Sequence, residues 1–353
     1  MQTHEVDITD LSHDGRGVAH VDGKAVFVIG GLPGERAVVR IAARHRNFDE
    51  ARIETLLTRS PDRVEPRCPH FGNCGGCALQ HLAPAAQIAA KQRVLAENFE
   101  RIGKVEPARW LEPLTADEWG YRRKGRLSVK WVPKKGKVLV GFREENPRFV
   151  ADLSECHTLL PEVGTRIAAI GELVTSLEAK QSIAQIEIAA GDDTVALVFR
   201  NLQPLSDADT AKLVAFGKQH ALAILLQPGG PDSVQALWPE TVRLAFRIED
   251  ADVDIEFRPL DFVQVNAGIN RRMIARALEL LDPKEDERVL DLFCGLGNFT
   301  LPVARRAGSV VGVEGEAKLV ARARENAVAN GIANAEFAAA DLSVDQRGAP
   351  WAV

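Results

Sequence analysis

The sequence has no long apolar run. Nowhere in its 353 residues does it approach the roughly 20 consecutive apolar side chains of a membrane-spanning helix. Its start, Met1-Gln2-Thr3-His4-Glu5-Val6-Asp7, lacks the basic and apolar segments of a signal peptide. Both absences predict a cytoplasmic protein without a membrane partner. An excess of one charge is also missing: 44 Lys and Arg stand against 49 Asp and Glu, a net −5. The composition therefore does not mark a nucleic-acid binder, and any such role must rest on local patches. Cysteine is scarce, with five residues too few and too unevenly placed for a secreted disulfide scaffold. What remains, 46% hydrophobic and 26% charged residues, predicts two or three globular domains.

One stretch organises the rest: Asp291-Leu292-Phe293-Cys294-Gly295-Leu296-Gly297-Asn298-Phe299-Thr300-Leu301-Pro302. Val289 to Phe293 predict a short buried strand, the glycines a tight turn, and Asn298 onward a helix start, which is how an α/β nucleotide site opens. Glycine serves there because a side chain would hold the backbone away from a ligand. A second apolar run, Val310 to Val313, ends in Glu314, 17 residues after Gly297, where a carboxylate can accept both ribose hydroxyls. A helix pattern from Glu316 closes at Asn330-Gly331. A third run, Phe337 to Ala340, ends in Asp341. Repeated strand–helix units with an acid after each strand resemble the class I methyltransferase fold, which implies S-adenosylmethionine as ligand. An empty Rossmann-like half is the alternative.

Residues 1–60 alternate apolar and polar positions between turn signals, predicting a small closed barrel. The segment resembles a TRAM domain, an OB-like barrel of RNA-modifying enzymes, through Gly15-Arg16-Gly17-Val18-Ala19 and Leu32-Pro33-Gly34-Glu35. Its charge is balanced, eight Lys and Arg against nine Asp and Glu, so RNA contact follows from the resemblance alone. Arg44, His45, Arg46 and Phe48 form either a contact patch or a solvated hairpin tip. Cys68, Cys74 and Cys77 follow at C-x5-C-x2-C within a Gly- and Pro-containing loop, a pattern that asks for a metal, with Cys156 as the best fourth ligand. Three clustered thiolates plus a distant fourth fit a four-iron, four-sulfur cluster; zinc and unligated structural thiols are the alternatives. Pro84 opens a helix with Ile88, Leu95, Phe99 and Ile102 on one face and Gly103 as its stop. Residues 121–148 then hold ten Lys and Arg against two Glu, with Tyr121, Trp131 and Phe142 interleaved. This is either an RNA-facing surface or a solvated basic hairpin turning at Pro133-Lys134-Lys135-Gly136. From 160 to 258 the pattern reads as scaffold. In Phe262-Val263-Gln264-Val265-Asn266, alternation predicts a strand with Phe262, Gln264 and Asn266 on one face.

The order of these motifs, with Tyr121-Arg122-Arg123-Lys124-Gly125-Arg126-Leu127-Ser128-Val129 and Gly141-Phe142-Arg143 between them, is similar along nearly the whole chain to the bacterial 23S ribosomal RNA uracil-5 methyltransferases of the RlmD kind. The resemblance implies a multidomain α+β and α/β architecture. Residues 1–60 would be an OB-like TRAM barrel, 61–260 a central α+β domain bearing an iron–sulfur cluster, and 261–353 an incomplete Rossmann-like methyltransferase domain on which a helical segment near 82–112 packs. It implies an S-adenosylmethionine site of Gln264, Phe293, Gly295, Gly297, Asn298, Glu314 and Asp341, with Glu314 on the ribose and Asp341 near the adenine. It also implies a [4Fe-4S] cluster on Cys68, Cys74, Cys77 and Cys156, and tentative RNA contacts from Arg122, Arg123, Lys124, Arg126 and Arg143. Cys294 sits where the cofactor must lie and reads as a packed turn residue.

The partner implied is 23S ribosomal RNA, with no obligate protein partner. In such enzymes a cysteine thiolate attacks carbon 6 of uracil and a base later removes the proton from carbon 5. Their Ser-Cys-Asn-Pro motif is not found before Trp351-Ala352-Val353, and only three methyltransferase strands are recognisable. The expectation is a C-terminal truncation, inactive because its catalytic pair lies beyond residue 353; a non-catalytic RNA-binding iron–sulfur fragment is the alternative function. A radical methylthiotransferase needs C-x3-C-x2-C and no glycine turn, so the sequence argues against it.

Overall fold

The computed structural model describes residues 2–345 and Trp351; Ala352-Val353, the end on which the truncation expectation rests, lies outside them. The chain divides into two compact units. One comprises Met1–Pro113 with Phe142–Ala151, the other Leu114–Gly141 with Asp152–Val353. Among the described residues no helix is long and apolar enough to cross a membrane.

In the first unit six strands follow the order Thr3–Ile8, Glu35–Arg44, Phe48–Thr58, Lys24–Ile29, Gly17–Val21, Asp10–Leu11. Only Thr9 separates the two strands at opposite ends of that order, and its N–H donates to Val18 O at 2.9 Å, so the sheet closes on itself. Period-2 alternation turns Val6, Ile8, Val26, Val28, Ala37 and Val39 inward to one core. Two glycines make that core possible: a Cβ on Gly31 would stand 2.5 Å from Ile8 Cδ1, and one on Gly17 2.7 Å from Ile8 Cγ2. The turn Leu32-Pro33-Gly34-Glu35 is closed by Glu35, which is 1% exposed. Its carboxylate accepts from Leu32 N at 2.9 Å and from Arg63 Nε at 2.5 Å.

The helix expected after Pro84 runs Pro84–Asn98, with Pro84 at its first position. The helical stretch ends at Gly103 as expected, but its last turn is not α-helical. A wider π turn, Phe99–Gly103, carries the backbone on until Lys104 takes a left-handed φ of +52°. No residue of this helix is buried; Ala86 and Ala90 pack against Leu11, Leu32 and Leu82, while Leu95 and Ile102 are exposed.

The second unit contains a mixed sheet in the order Gln235–Trp238, Ala223–Leu226, Val195–Asn201, Ile183–Ala190, Lys124–Val132, Lys137–Gly141. It also holds the hairpin Leu244–Ile248 with Val253–Phe257. Its last part is a three-stranded parallel sheet, Arg288–Leu292, Ser309–Glu314 and Ala335–Ala339, in chain order. Helices Thr300–Ala304 and Ala317–Ala329 form the two crossovers, and Ala267–Leu281 precedes them. Ile274, Leu278, Leu301, Val310, Val320, Ala323 and Phe337 share one core with the hairpin. The helix pattern after Glu316 ends as expected, with Asn330 as cap and Gly331 at φ +64°.

Phe262–Asn266 is not a strand. Burial alternates only over the first three residues, with Val263 buried and Phe262 and Gln264 exposed, while Val265 and Asn266 are both half-buried and the backbone is irregular. Asn266 ends it as an N-cap, its Oδ1 accepting from Ile269 N at 3.0 Å.

Candidate cofactor site

The strand Arg288–Leu292 delivers the chain into a turn of left-handed residues: Phe293 at φ +61°, Gly295 at +55° and Gly297 at +91°. Glycine enters that region freely; phenylalanine pays about 1–2 kcal/mol, and its ring is 71% exposed. A strained backbone presenting a bare aromatic is the kind of outlier found at ligand sites. A Cβ on Gly295 would meet nothing within 4 Å, so its backbone faces open space.

Glu314, at the end of the neighbouring strand, reaches across to this turn. Its Oε2 accepts from Gly295 N at 3.1 Å, and its Oε1 accepts from Gly315 N at 2.8 Å and Glu316 N at 3.2 Å. The half-buried carboxylate is therefore aimed by backbone N–H groups, with acceptor capacity remaining. Asp341 follows the third strand, and Ala340 N donates to Glu314 O at 3.0 Å, which places the two strand ends side by side. The Ser343 hydroxyl and N–H bind its exposed carboxylate and hold it below the usual range.

Asn298 exchanges amide hydrogen bonds with Asn270, at 2.9 Å in each direction. Asn270 in turn lines a narrow recess with Gln264, Val263, Ala267 and Arg271. The glycine turn, Glu314 and Asp341 thus form one group, and Gln264 joins through the asparagine pair. Beneath them Asp291 accepts from Thr300 Oγ1 at 2.6 Å, and burial raises its pKa despite that bond. Cys294 is buried, and its thiol is pushed up to about 12, by burial first and then by the negative charges of Asp291 and Glu314. It is packing, as expected.

The basic segment is more engaged than its composition suggests. Arg122 Nε donates to Lys124 O at 3.0 Å, Arg123 pairs with Asp192, and Arg126 pairs with Glu187 at 2.8 Å. Lys124 Nζ donates to Pro259 O and its pKa is lowered by burial. In the first unit, Arg143 donates to Pro147 O at 3.3 Å. Most of these cations therefore hold the fold rather than standing free. At the barrel's hairpin tip, His45 stacks on Phe48 at 4.4 Å, Phe48 meets Phe27 edge-on at 5.3 Å, and Arg16 lies over Phe27 at 4.6 Å.

None of the five cysteines forms a disulfide; Cys68, Cys74 and Cys77 are half-buried, and Cys156 is buried beside Thr158 Oγ1 at 3.2 Å. Among the described residues no group of three or more His, Cys, Asp or Glu side chains could hold a metal ion. Within the first unit, Cys68, Cys74 and Cys77 are therefore not gathered into a ligand set. Sequence reasoning missed Asn270, Asp261, Arg322 and Asn326. The spacing of the last two, four residues apart among buried Val320, Ala323 and Ala327, was the available signal.

A closed barrel in one unit and, in the other, a parallel sheet with a glycine turn and strand-end acids define a TRAM-bearing protein with a class I methyltransferase-type fold. A family model described as TRAM domain matches residues 1–53, and one described as tRNA (Uracil-5-)-methyltransferase matches residues 182–345. The chain is 61% identical over 350 residues to the 23S rRNA (uracil(1939)-C(5))-methyltransferase RlmD of Stenotrophomonas maltophilia, covering 98% of this chain and 79% of that one. It is 60% identical, with the same coverage, to its counterpart in Xylella fastidiosa. The chain belongs to the RlmD family. The crystal structure of a Pyrococcus abyssi tRNA (uracil-54, C5)-methyltransferase with S-adenosyl-L-homocysteine matches 96% of this chain and 80% of its own, with a TM-score of 0.72 and 22% identity, and shares its fold. These alignments leave the expected truncation and inactivity unsupported.

Proposed function

We propose that this chain binds S-adenosylmethionine at the carboxyl ends of the three parallel strands and methylates carbon 5 of a uridine in 23S ribosomal RNA. The observation that carries this reading is Glu314, a half-buried carboxylate oriented over an open glycine turn by three backbone N–H groups. Such a carboxylate suits a ribose diol. Phe293 supplies an aromatic face, Asp341 a second acceptor near the adenine, and Gln264 and Asn298 line the approach. When bound, S-adenosylmethionine supplies an electrophilic methyl group.

Carbon 5 of uracil is a poor nucleophile, so the reading includes covalent activation. A thiolate adds to carbon 6, carbon 5 takes the methyl, a base removes the carbon 5 proton, and the thiolate leaves. None of the five cysteines is assigned to that step; Cys294 is excluded by its burial and its raised pKa. RNA contact is assigned to the barrel tip around Phe27, His45 and Phe48 and, in the basic strand Lys124–Val132, to the exposed Arg126 and Lys130. The chemistry of four thiols free of disulfides supports a [4Fe-4S] cluster on Cys68, Cys74, Cys77 and Cys156. No step of the reaction runs through a cluster.

Calorimetry with S-adenosylhomocysteine tests the cofactor reading. Wild-type chain should bind, and Glu314→Ala should bind about tenfold more weakly or worse, as the loss of a charged hydrogen-bonding group requires. Equal affinity of the two proteins rejects the site.

A further inference from the structure

Helix Ala317–Ala329 starts three residues after Glu314 and buries unusual polarity. Arg322 is 9% exposed and Asn326 3%, and Asn330 continues the same spacing of four. That face lies against strand Val253–Phe257. Asn330 Oδ1 accepts from Asp254 N at 2.8 Å and its Nδ2 donates to Asp254 O at 2.7 Å. Asn326 repeats the pattern two strand residues on, with Glu256 N at 2.9 Å and Glu256 O at 3.1 Å. The two pitches match: four helical residues rise about 6 Å and two strand residues about 6.6–6.8 Å. The side-chain amides thus act as the peptide groups of a neighbouring strand.

The two asparagines differ in one proton. The second Nδ2 hydrogen of Asn330 returns to its own helix, at Asn326 O, 2.7 Å away. That of Asn326 goes to Leu296 O at 3.2 Å, the carbonyl between Gly295 and Gly297. One turn earlier, Arg322 binds Asp261 Oδ1 at 2.5 Å, while Asp261 Oδ2 accepts from Arg258 N at 2.8 Å, fixing the segment that leads into Gln264. We propose that Asn326 is a positioning residue for the cofactor turn. By holding Leu296 O it sets the direction of the Gly295 and Gly297 peptides, and with the Arg322–Asp261 pair it makes the turn and the Gln264 segment one rigid piece. The proposal rests on the cofactor reading above.

Asn330 is a built-in control, because it makes the same strand contacts without touching the turn. Calorimetry with S-adenosylhomocysteine on the 353-residue chain compares wild type, Asn326→Asp and Asn330→Asp, each near-isosteric and each losing its donor hydrogens. Both variants should melt at lower temperature, yet only Asn326→Asp should weaken binding, by about tenfold. Asn326→Ser serves if the aspartate variant does not fold. Equal affinity of wild type and the Asn326 variant, or equal weakening by both variants, overturns the proposal. A wild-type chain that does not bind S-adenosylhomocysteine overturns the cofactor reading itself, and this proposal with it.

Discussion

Glu35 and Glu314 each close a glycine turn with a carboxylate that accepts backbone N–H groups, yet their surroundings differ. Glu35 is sealed inside the barrel, where Leu32 N, Ser60 N and the Arg63 guanidinium answer its oxygens. Glu314 is half-buried and held by backbone N–H groups, and among the described residues no ion pair reaches it. A carboxylate whose lone pairs are all met by the protein serves the fold. One aimed by the backbone and left without a cation keeps capacity for a ligand.

The largest test of this contrast is Glu35→Ala. It leaves Arg63, itself largely buried, without its carboxylate, and chemical denaturation should report a loss of about 3–5 kcal/mol with S-adenosylhomocysteine affinity unchanged in the folded protein. The converse variant, Glu314→Ala, should lose affinity while shifting stability by less than about 1 kcal/mol. If both variants lose stability alike, the contrast collapses.

Acid should sharpen it. Burial alone would raise the Glu35 carboxyl, but the Arg63 and backbone hydrogen bonds outweigh it and hold the pKa below its ordinary 4.5. In the same unit His81, buried with neither ring nitrogen partnered, is lowered to about 4, by burial and then by the Arg63 charge. A depressed histidine binds fewer protons folded than unfolded, so its contribution is whole above 6.5 and is lost as pH falls towards about 4. The Glu35 contribution is lost below 4.5. Asp291 in the other unit has the opposite sign: its raised pKa favours the protonated folded form, so acidification does not cost stability there. Hydrogen exchange, corrected for intrinsic rates, should show the strand Lys24–Ile29 opening on acidification before Ser309–Glu314 does. His81→Phe should flatten the barrel's slope between 6.5 and about 4. The smallest effect concerns Cys294. With its thiol at about 12, iodoacetamide should alkylate it far more slowly in the folded chain than in denaturant, and equal rates would place the thiol in solvent.

Much of the frame was legible because it is written in short-range signals. Alternation marked Val6 with Ile8 and Val26 with Val28. The glycine turn, Glu314 and the Asn330-Gly331 stop were readable because backbone geometry restricts those positions to few residue types. What escaped depends on competition between neighbouring elements or on partners distant in sequence. Asn266 sits on an alternating pattern, but it caps Ile269 N and the segment forms no strand. The basic run promised a free surface, but Asp192, Glu187 and Pro259 O, all far along the chain, take up its cations. Gly103 is the last helical residue as read, but the left-handed cap falls to Lys104 and the last turn is a π turn. Asn326 carries no motif at all; its importance lies in the pitch shared by a helix and a strand.

The closure of the barrel through Thr9 has a consequence for anyone handling this protein as material. The single run from Thr3 to Leu11 forms both seams of the ring, in the manner of a stave that is also the hoop. Shortening the chain from its amino end therefore opens the ring at both seams and leaves four paired strands with two bare edges. An insertion at the His45-Arg46-Asn47 tip, between two strands already paired to each other, leaves the ring shut. A label or fusion partner at that tip spares the fold but covers the surface assigned to RNA.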